Sequence, residues 1–384
     1  MINMKKTEKI IKLYTEKLIL ASDPLFPLWN RENFMFSKQG KWNYIDNCII
    51  RSVLMMYDLS RDVRLLDYTV RFNDCYVEDN GDIPSMNPLD YNLDNINGAK
   101  NLIALYKLTG NEKYRLAVDK LYAQQICSQP RLDCGNFYHK AIYPMQIWLD
   151  GSYMALPFLA EYAVQTKDNA LLDDVKNQLE NIIRLMRDSN TGLYYHGYEQ
   201  SRITCWSDKT TGLSQEFWLR AMGWYASALA DICEITQDYA PELSELCAES
   251  LCSLINAVSQ YITHEGMLCQ LPAKPDLKDN YPETSGTLLF AYASLKAYRL
   301  GVGGENIKNT GIKLFSAVVD NYITFNTDNL PVLSNTCLVA GLGGSQNRDG
   351  SAEYYLSEPV VKNEAKGIAP LIMAYTELMR ILKV

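Results

Sequence analysis

One recurring local pattern constrains the fold of this chain more than any other feature. A stretch with helical apolar-plus-Tyr spacing ends, a short polar turn follows, and a second amphipathic stretch begins. It occurs over residues 56–63, 105–114, 161–169, 233–240 and 297–304, and a last helix of the first type is expected near Gly367 to Leu382. Around the second of these turns, Leu102, Leu105, Tyr106 and Leu108 precede it and Tyr114, Ala117, Val118 and Leu121 follow it at helical spacing. Intervals of roughly 49 to 77 residues are too loose for a solenoid of strict period. Short turns on one side and longer connections on the other predict six antiparallel helix pairs closed into an all-α, (α/α)₆ barrel. An open helical array is the competing arrangement. Closure is favoured because the long connections collect the unusual residues, as a barrel mouth does. No Pro- or Ser-rich linker interrupts the chain, so residues 1–384 read as one domain.

Composition narrows the partners. A net charge of −8 leaves no basic excess to neutralise phosphates, which argues against nucleic acid. No apolar run approaches the roughly 18 residues of a membrane-spanning helix. Residues 1–20 carry Lys5, Lys6, Lys9, Lys12 and Lys17 with no uninterrupted apolar core, so no signal peptide is expected. The ten cysteines form no CxxC pair, and the three histidines add no metal-ligand spacing. We therefore expect no metal, a reducing cytoplasm, and small buried thiols at Cys233, Cys247 and Cys252. The expected assembly is a monomer or weak homo-oligomer. The unusual count is 26 Tyr beside 6 Trp. Flat rings with polar tips suit sugars, although most must pack between helices.

The long connections end in distinctive polar starts. They are Leu93-Asp94-Asn95-Ile96-Asn97-Gly98, Leu149-Asp150-Gly151-Ser152, the segment 213–225, Tyr281-Pro282-Glu283-Thr284-Ser285-Gly286 and the segment 358–364. Each could be a helix cap alone; in a closed ring they converge on one mouth. Asp150 follows Trp148 and lies just after Tyr138-His139-Lys140-Ala141-Ile142-Tyr143. A carboxylate desolvated among such rings can keep its proton near neutral pH and act as a general acid. A nearby Asp94 would raise it further, while a helix N-terminus would oppose this. His196 sits in the aromatic loop 192–198, where a site role outweighs a packing one; for His139 the two readings balance. His264 reads as an exposed turn residue. Arg220 precedes Trp224 by one helical turn, so an Arg stacked near Trp is expected to meet a carboxylate, with an interhelical ion pair as the alternative.

The stretches WLDGSYMALPFLAEYA, GLYYHGYEQS, TGLSQEFWLRAMGWYASALAD, YPETSGTLLFAYA and VAGLGGSQNRDGSAEYYLSEPVVKNEAKGIAPLIMAY resemble the unsaturated rhamnogalacturonyl hydrolases, glycoside hydrolase family 105. The unsaturated glucuronyl hydrolases of family 88 are more distant relatives. The resemblance spans about Trp42 to Tyr375. It implies an (α/α)₆ barrel that removes a 4,5-unsaturated uronic acid from the non-reducing end of a small oligosaccharide, without cofactor. It further implies Asp150 as general acid/base and Asp94 as the second carboxylate. His196, His139, Arg220 and Trp224 match the family's binding positions, and Trp42, Tyr44 and Met145 line the cleft. Some relatives carry His at the position of Met145, which bears on the subsite rather than the chemistry.

The chemistry is consistent with one acid/base. Protonating C4 of the vinyl ether leaves an oxocarbenium-like centre at C5, which water attacks. The resulting hemiketal opens and releases the rest of the chain. An ordinary inverting glycosidase would instead use Asp94 and Asp150 as an acid and a base flanking the scissile bond. A sugar epimerase and a non-catalytic sugar-binding barrel are the remaining alternatives.

Overall fold

The turn residues explain both why each helix stops and why the next begins. In the computed structural model, which describes residues 3–36, 38 and 40–383, Arg61, Gly110 and Lys167 adopt left-handed backbone and close three helices. The residues that follow, Asp62, Asn111 and Asp168, accept a hydrogen bond from an amide in the first turn of the next helix. Helices α1 (Met4–Leu13), α2 (Arg31–Met35), α3 (Tyr44–Ser60), α4 (Val63–Asp74), α5 (Ala99–Thr109), α6 (Glu112–Gln124) and α7 (Leu149–Thr166) form the first half. The second half contains α8 (Asn169–Met186), α9 (Leu219–Thr236), α10 (Pro241–Ser259), α11 (Thr284–Arg299), α12 (Glu305–Asn321), α13 (Ala352–Ser357) and α14 (Ala365–Leu382).

Helices α3, α5, α7, α9, α11 and α14 make an inner ring, and α14 packs back on α3 to close it. The inner helices are apolar nearly all round, as α9 illustrates by burying every residue from Leu219 to Cys233. Outer helices bury one stripe; α8 covers the ring with Leu171, Leu172, Val175, Leu179 and Ile182. The α5 position is extended by a 3₁₀ segment, Leu93–Gly98, that packs against α3 and α7. The sixth outer helix is α1. It buries Ile10 and Ile11 and ties to α12 through Lys6, whose ammonium donates to the Val319 carbonyl at 3.0 Å. The first helix thus joins the outer layer beside α12.

Three two-stranded ribbons decorate this ring: β1 (Gln146–Trp148) with β2 (Gly197–Glu199), β3 (Ile323–Phe325) with β4 (Pro331–Leu333), and β5 (Thr336–Cys337) with β6 (Val360–Val361). They were absent from the expected pattern because two or three residues carry no readable alternation. All ten cysteines are unpaired; Cys233 and Cys247 are buried, but Cys252 is only half-buried on α10. Among the described residues, no helix is long and apolar enough to cross a membrane.

Candidate active site

The inner helices begin at one mouth of the barrel, and the longer connections there enclose a cleft of about 280 Å³. Trp42, Tyr44, Asp94, His139, Lys140, Tyr143, Trp148 and Asp150 line it, together with Glu32, Met154 and Arg348. Two backbone pairings assemble the chemistry. Antiparallel β1 and β2 set Trp148 opposite Gly197, and the Leu149 amide donates to the His196 carbonyl at 3.0 Å. This places His196 beside the first turn of α7. The Leu93 amide donates to the His139 carbonyl at 3.1 Å, which brings Asp94 next to His139 and Lys140.

Asp150 does not cap its helix. The N-cap of α7 is Trp148, which makes no side-chain cap, and among the described residues no backbone amide donates to the Asp150 carboxylate. Its Oδ2 is buried and lies 3.0 Å from His196 Nε2, a close approach off the axis of an aligned hydrogen bond. Catalytic hydrogen bonds commonly align only when substrate binds. His196 is fully buried (0% exposed), and its Nδ1 lies 2.6 Å from the Tyr355 hydroxyl. Trp218 packs 4.7 Å from the His196 ring.

The charge state of Asp150 differs from the sequence expectation of a carboxyl held protonated. Burial pushes the carboxyl up, but the contact with His196 and the pull of His196, His139 and Arg220 on the carboxylate outweigh it, leaving it below the ordinary carboxylate range. The facing imidazole, which the sequence order conceals, is the reason. The expected Asp94–Asp150 coupling is also displaced, because Asp94 Oδ2 pairs with Lys140 Nζ at 2.6 Å. His139 Nε2 is 3.8 Å from the other Asp94 oxygen. Burial pushes His139 down to about 4 despite the pull of Asp94. Its ring stacks on Trp148 at 4.6 Å, and Tyr143 stacks on Trp148 at 4.6 Å. Gly151 makes room for this stack, since a Cβ there would stand 2.9 Å from His139 Nδ1.

Over residues 28–382 the chain matches the profile of Glycosyl Hydrolase Family 88. It belongs to that family. A solved structure of a C. acetobutylicum glycoside hydrolase from family 105 superposes on it with a TM-score of 0.88 at 34% identity, covering 99% of this chain and 100% of that one. A protein of Agrobacterium fabrum is 38% identical over 232 residues, 58% of this chain and 97% of its own length. An unsaturated rhamnogalacturonyl hydrolase of Bacillus subtilis is 22% identical over 271 residues, 69% of this chain and 73% of its own length.

In this family 88 barrel, Trp42, Tyr44, Asp94, His139 and Asp150 meet in the cleft, with His196 directly behind Asp150. Three other expected positions lie elsewhere. Arg220 is 1% exposed; its Nη1 donates to Ser285 Oγ at 3.3 Å and to the Cys337 carbonyl, and its guanidinium lies 4.8 Å from the Trp218 ring. The expected Arg220–Trp224 stack is therefore replaced by one with Trp218. Arg220 stands in the first turn of α9, where side chains lean back toward the helix start. Trp224 stacks on Tyr153 at 4.8 Å in the barrel interior. Met145 is not among the cleft-lining residues; its turn has φ 61° and its sulfur accepts from the Tyr138 hydroxyl. Met154, on the inner helix, lines the cleft instead. His264 is 92% exposed, as expected of a turn residue.

Sequence reasoning gave no role to Arg348, Lys140, Glu32 or Tyr355. Arg348 donates from Nε to the Gly343 carbonyl at 3.1 Å and from Nη2 to the Tyr143 hydroxyl at 3.1 Å. A Cβ at Gly341 would meet its guanidinium at 2.5 Å. A single Arg inside GLGGSQNRDG was the signal available. Glu32 is clamped by Lys366 at 2.7 Å, a pairing between segments more than 300 residues apart. Among the described residues, no group of three or more His, Cys, Asp or Glu is placed to hold a metal ion.

Proposed function

We propose that this barrel removes a 4,5-unsaturated uronic acid of galacturonyl type from lyase-generated oligosaccharides, such as unsaturated rhamnogalacturonan disaccharide. The B. subtilis relative, an unsaturated rhamnogalacturonyl hydrolase, supports that substrate class. The observation that carries the reading is the unequal treatment of the cleft carboxylates. Asp94 is paired with Lys140 and Glu32 with Lys366, whereas the direct contact of Asp150 is with the His196 imidazole. One carboxyl is left without an ammonium partner, while the other two are each held in an ion pair. That suits hydration by a single acid/base and not a pair that divides acid and base between them.

In this reading the uronate carboxylate enters a mouth ringed by helix N-termini, which favour negative charge. Arg348 contacts it from the wall, and Arg220 adds its charge from beneath. A second carboxylate beside Asp150 raises that group's proton affinity, so substrate itself helps load the acid. Asp150 then protonates C4, and a water deprotonated by Asp150 attacks C5. The bond from C5 to the ring oxygen opens, giving a ketone at C5 and a hemiacetal at C1 that expels the leaving sugar. Trp42 and Tyr44 contact sugar faces, His139 and the Asp94–Lys140 pair hold hydroxyls, and His196 sets Asp150. Trp224 and Met145 act from behind, through Tyr153 and Tyr138. Residues 1–384 work as one catalytic domain, and ten unpaired thiols support a reducing, cytoplasmic setting.

Incubation with lyase-generated oligosaccharides tests the reading. The ultraviolet absorbance of the conjugated double bond should decay as the leaving sugar appears. Release of sugar with that absorbance intact would overturn it.

A further inference from the structure

We propose that Tyr355 is a positioning residue that keeps His196 a hydrogen-bond donor toward Asp150, and so holds the reactive proton of Asp150 on its cleft-facing oxygen. The inference rests on the reading of Asp150 as the acid and base of hydration.

The argument starts from a buried hydroxyl. Tyr355 is fully buried on α13, and among the described residues its hydroxyl has one hydrogen-bond partner, His196 Nδ1 at 2.6 Å. If Nδ1 carried a hydrogen, the imidazole would donate and the hydroxyl hydrogen would have no acceptor. A buried unpaired donor is unfavourable, so the hydroxyl donates and Nδ1 accepts. The neutral ring must then carry its hydrogen on Nε2. That nitrogen is 3.0 Å from Asp150 Oδ2.

The surroundings fix this geometry. Trp218 packs on His196 at 4.7 Å and on Tyr355 at 5.9 Å, and Gln270 Nε2 donates to the Tyr355 carbonyl at 3.2 Å. Trp148 meets the other edge of His196 at 5.5 Å. The charged and titratable groups around Asp150 include His196, His139, Arg220 and Tyr355; those around Tyr355 include His196, Tyr354, Asp150, Glu216 and Arg348.

The two Asp150 oxygens therefore differ. Oδ2 is buried against His196, while the side chain as a whole keeps 16% exposure toward the cleft. With His196 fixed as donor, Oδ2 can only accept, and a proton taken up by Asp150 resides on Oδ1. Without the Tyr355 hydroxyl, Nδ1 is free to take a proton. His196 can then accept from Asp150 or hold the proton itself, and the acid is diverted from substrate.

The test combines nitrogen-15 NMR of the three histidines with kinetics of Tyr355→Phe. Wild type should show His196 with Nδ1 unprotonated at pH 7 and still unprotonated as Asp150 titrates. A ring protonated at Nδ1 at pH 7 overturns the proposal before any variant is made. In Tyr355→Phe, Nδ1 should gain a proton over the range in which Asp150 titrates. Its kcat should fall of the order of 10–100-fold, as when a partner that sets a histidine tautomer is lost. KM should change less than about twofold, because Tyr355 does not line the cleft. The alkaline limb of kcat should move to higher pH, because the pair now takes up its proton on His196. A fall in kcat with the limb and the Nδ1 signal unmoved shows only a structural role and overturns the assignment. So does a kcat within twofold of wild type. If Asp150 is not the acid of hydration, product labelling in deuterium oxide fails while the NMR result on His196 stands separately.

Discussion

His139 should make this protein lose stability between neutral pH and pH 5, and His139→Gln should remove that loss. The imidazole is buried, its Nδ1 has no hydrogen-bond partner among the described residues, and burial holds it at about 4 against an ordinary 6.5. Its folded-state value is depressed, so the unfolded chain binds a proton that the folded chain refuses. The stabilisation is complete above pH 6.5 and is lost as pH falls toward 4. Using about 1.4 kcal/mol per pH unit, the full effect is roughly 3 kcal/mol, of which about 2 kcal/mol is gone at pH 5. Urea unfolding of wild type and His139→Gln at pH 7 and pH 5 isolates this contribution, because other titrating groups are common to both. The wild-type drop should exceed that of the variant by about 2 kcal/mol. The carbon-bound ring protons of His139 should also titrate near 4 in a proton NMR series. A midpoint near 6.5, or equal drops in the two proteins, would refute the account of this buried ring.

Asp150→Asn should keep the fold and lower kcat by about 10²–10⁴, read from initial rates on an unsaturated disaccharide; near-normal turnover would remove Asp150 from the chemistry. Arg348→Gln should lose a charge-assisted contact of about 1.5–3 kcal/mol, and Arg220→Lys should lose part of that because the ammonium lacks the planar fork. The readout is preference for the free acid over its methyl ester, and a wild-type margin in both variants would move carboxylate recognition elsewhere. Gly151→Ala sets a methyl 2.9 Å from His139 Nδ1 and 3.1 Å from Leu93 Cδ1, so it should destabilise by about 1–3 kcal/mol in urea titration. An unchanged midpoint would mean that the His139–Trp148 stack yields easily.

The hairpin turns were legible because stop and start signals sit side by side, as in Arg61-Asp62, Gly110-Asn111 and Lys167-Asp168. The tie between α1 and α12 was not legible, since it joins segments more than 300 residues apart. Ribbons of two or three residues carry no period to read, yet β1–β2 brings His196 to Asp150. Asp150 stood out as a carboxylate among rings at a helix start and Asp94 as a second polar helix start, while His139 was balanced between a site role and a packing one. What sequence could not supply was direction. Arg220 turns toward Trp218, Met145 turns toward Tyr138, and Lys140 reaches Asp94 across 46 residues. The same gap hid the depressed Asp150 carboxyl, whose cause is a histidine from a different connection.

The central claim is that Asp150 delivers a proton to C4 and that water attacks C5. Mass spectrometry of products formed in deuterium oxide, and separately in oxygen-labelled water, tests it most directly. The account predicts deuterium at C4 of the released uronide and labelled oxygen at C5, sampled before the ketone exchanges with solvent. Oxygen label at the anomeric carbon with the double bond intact would contradict it, and would return Asp94 and Asp150 to the acid and base roles of an ordinary inverting glycosidase.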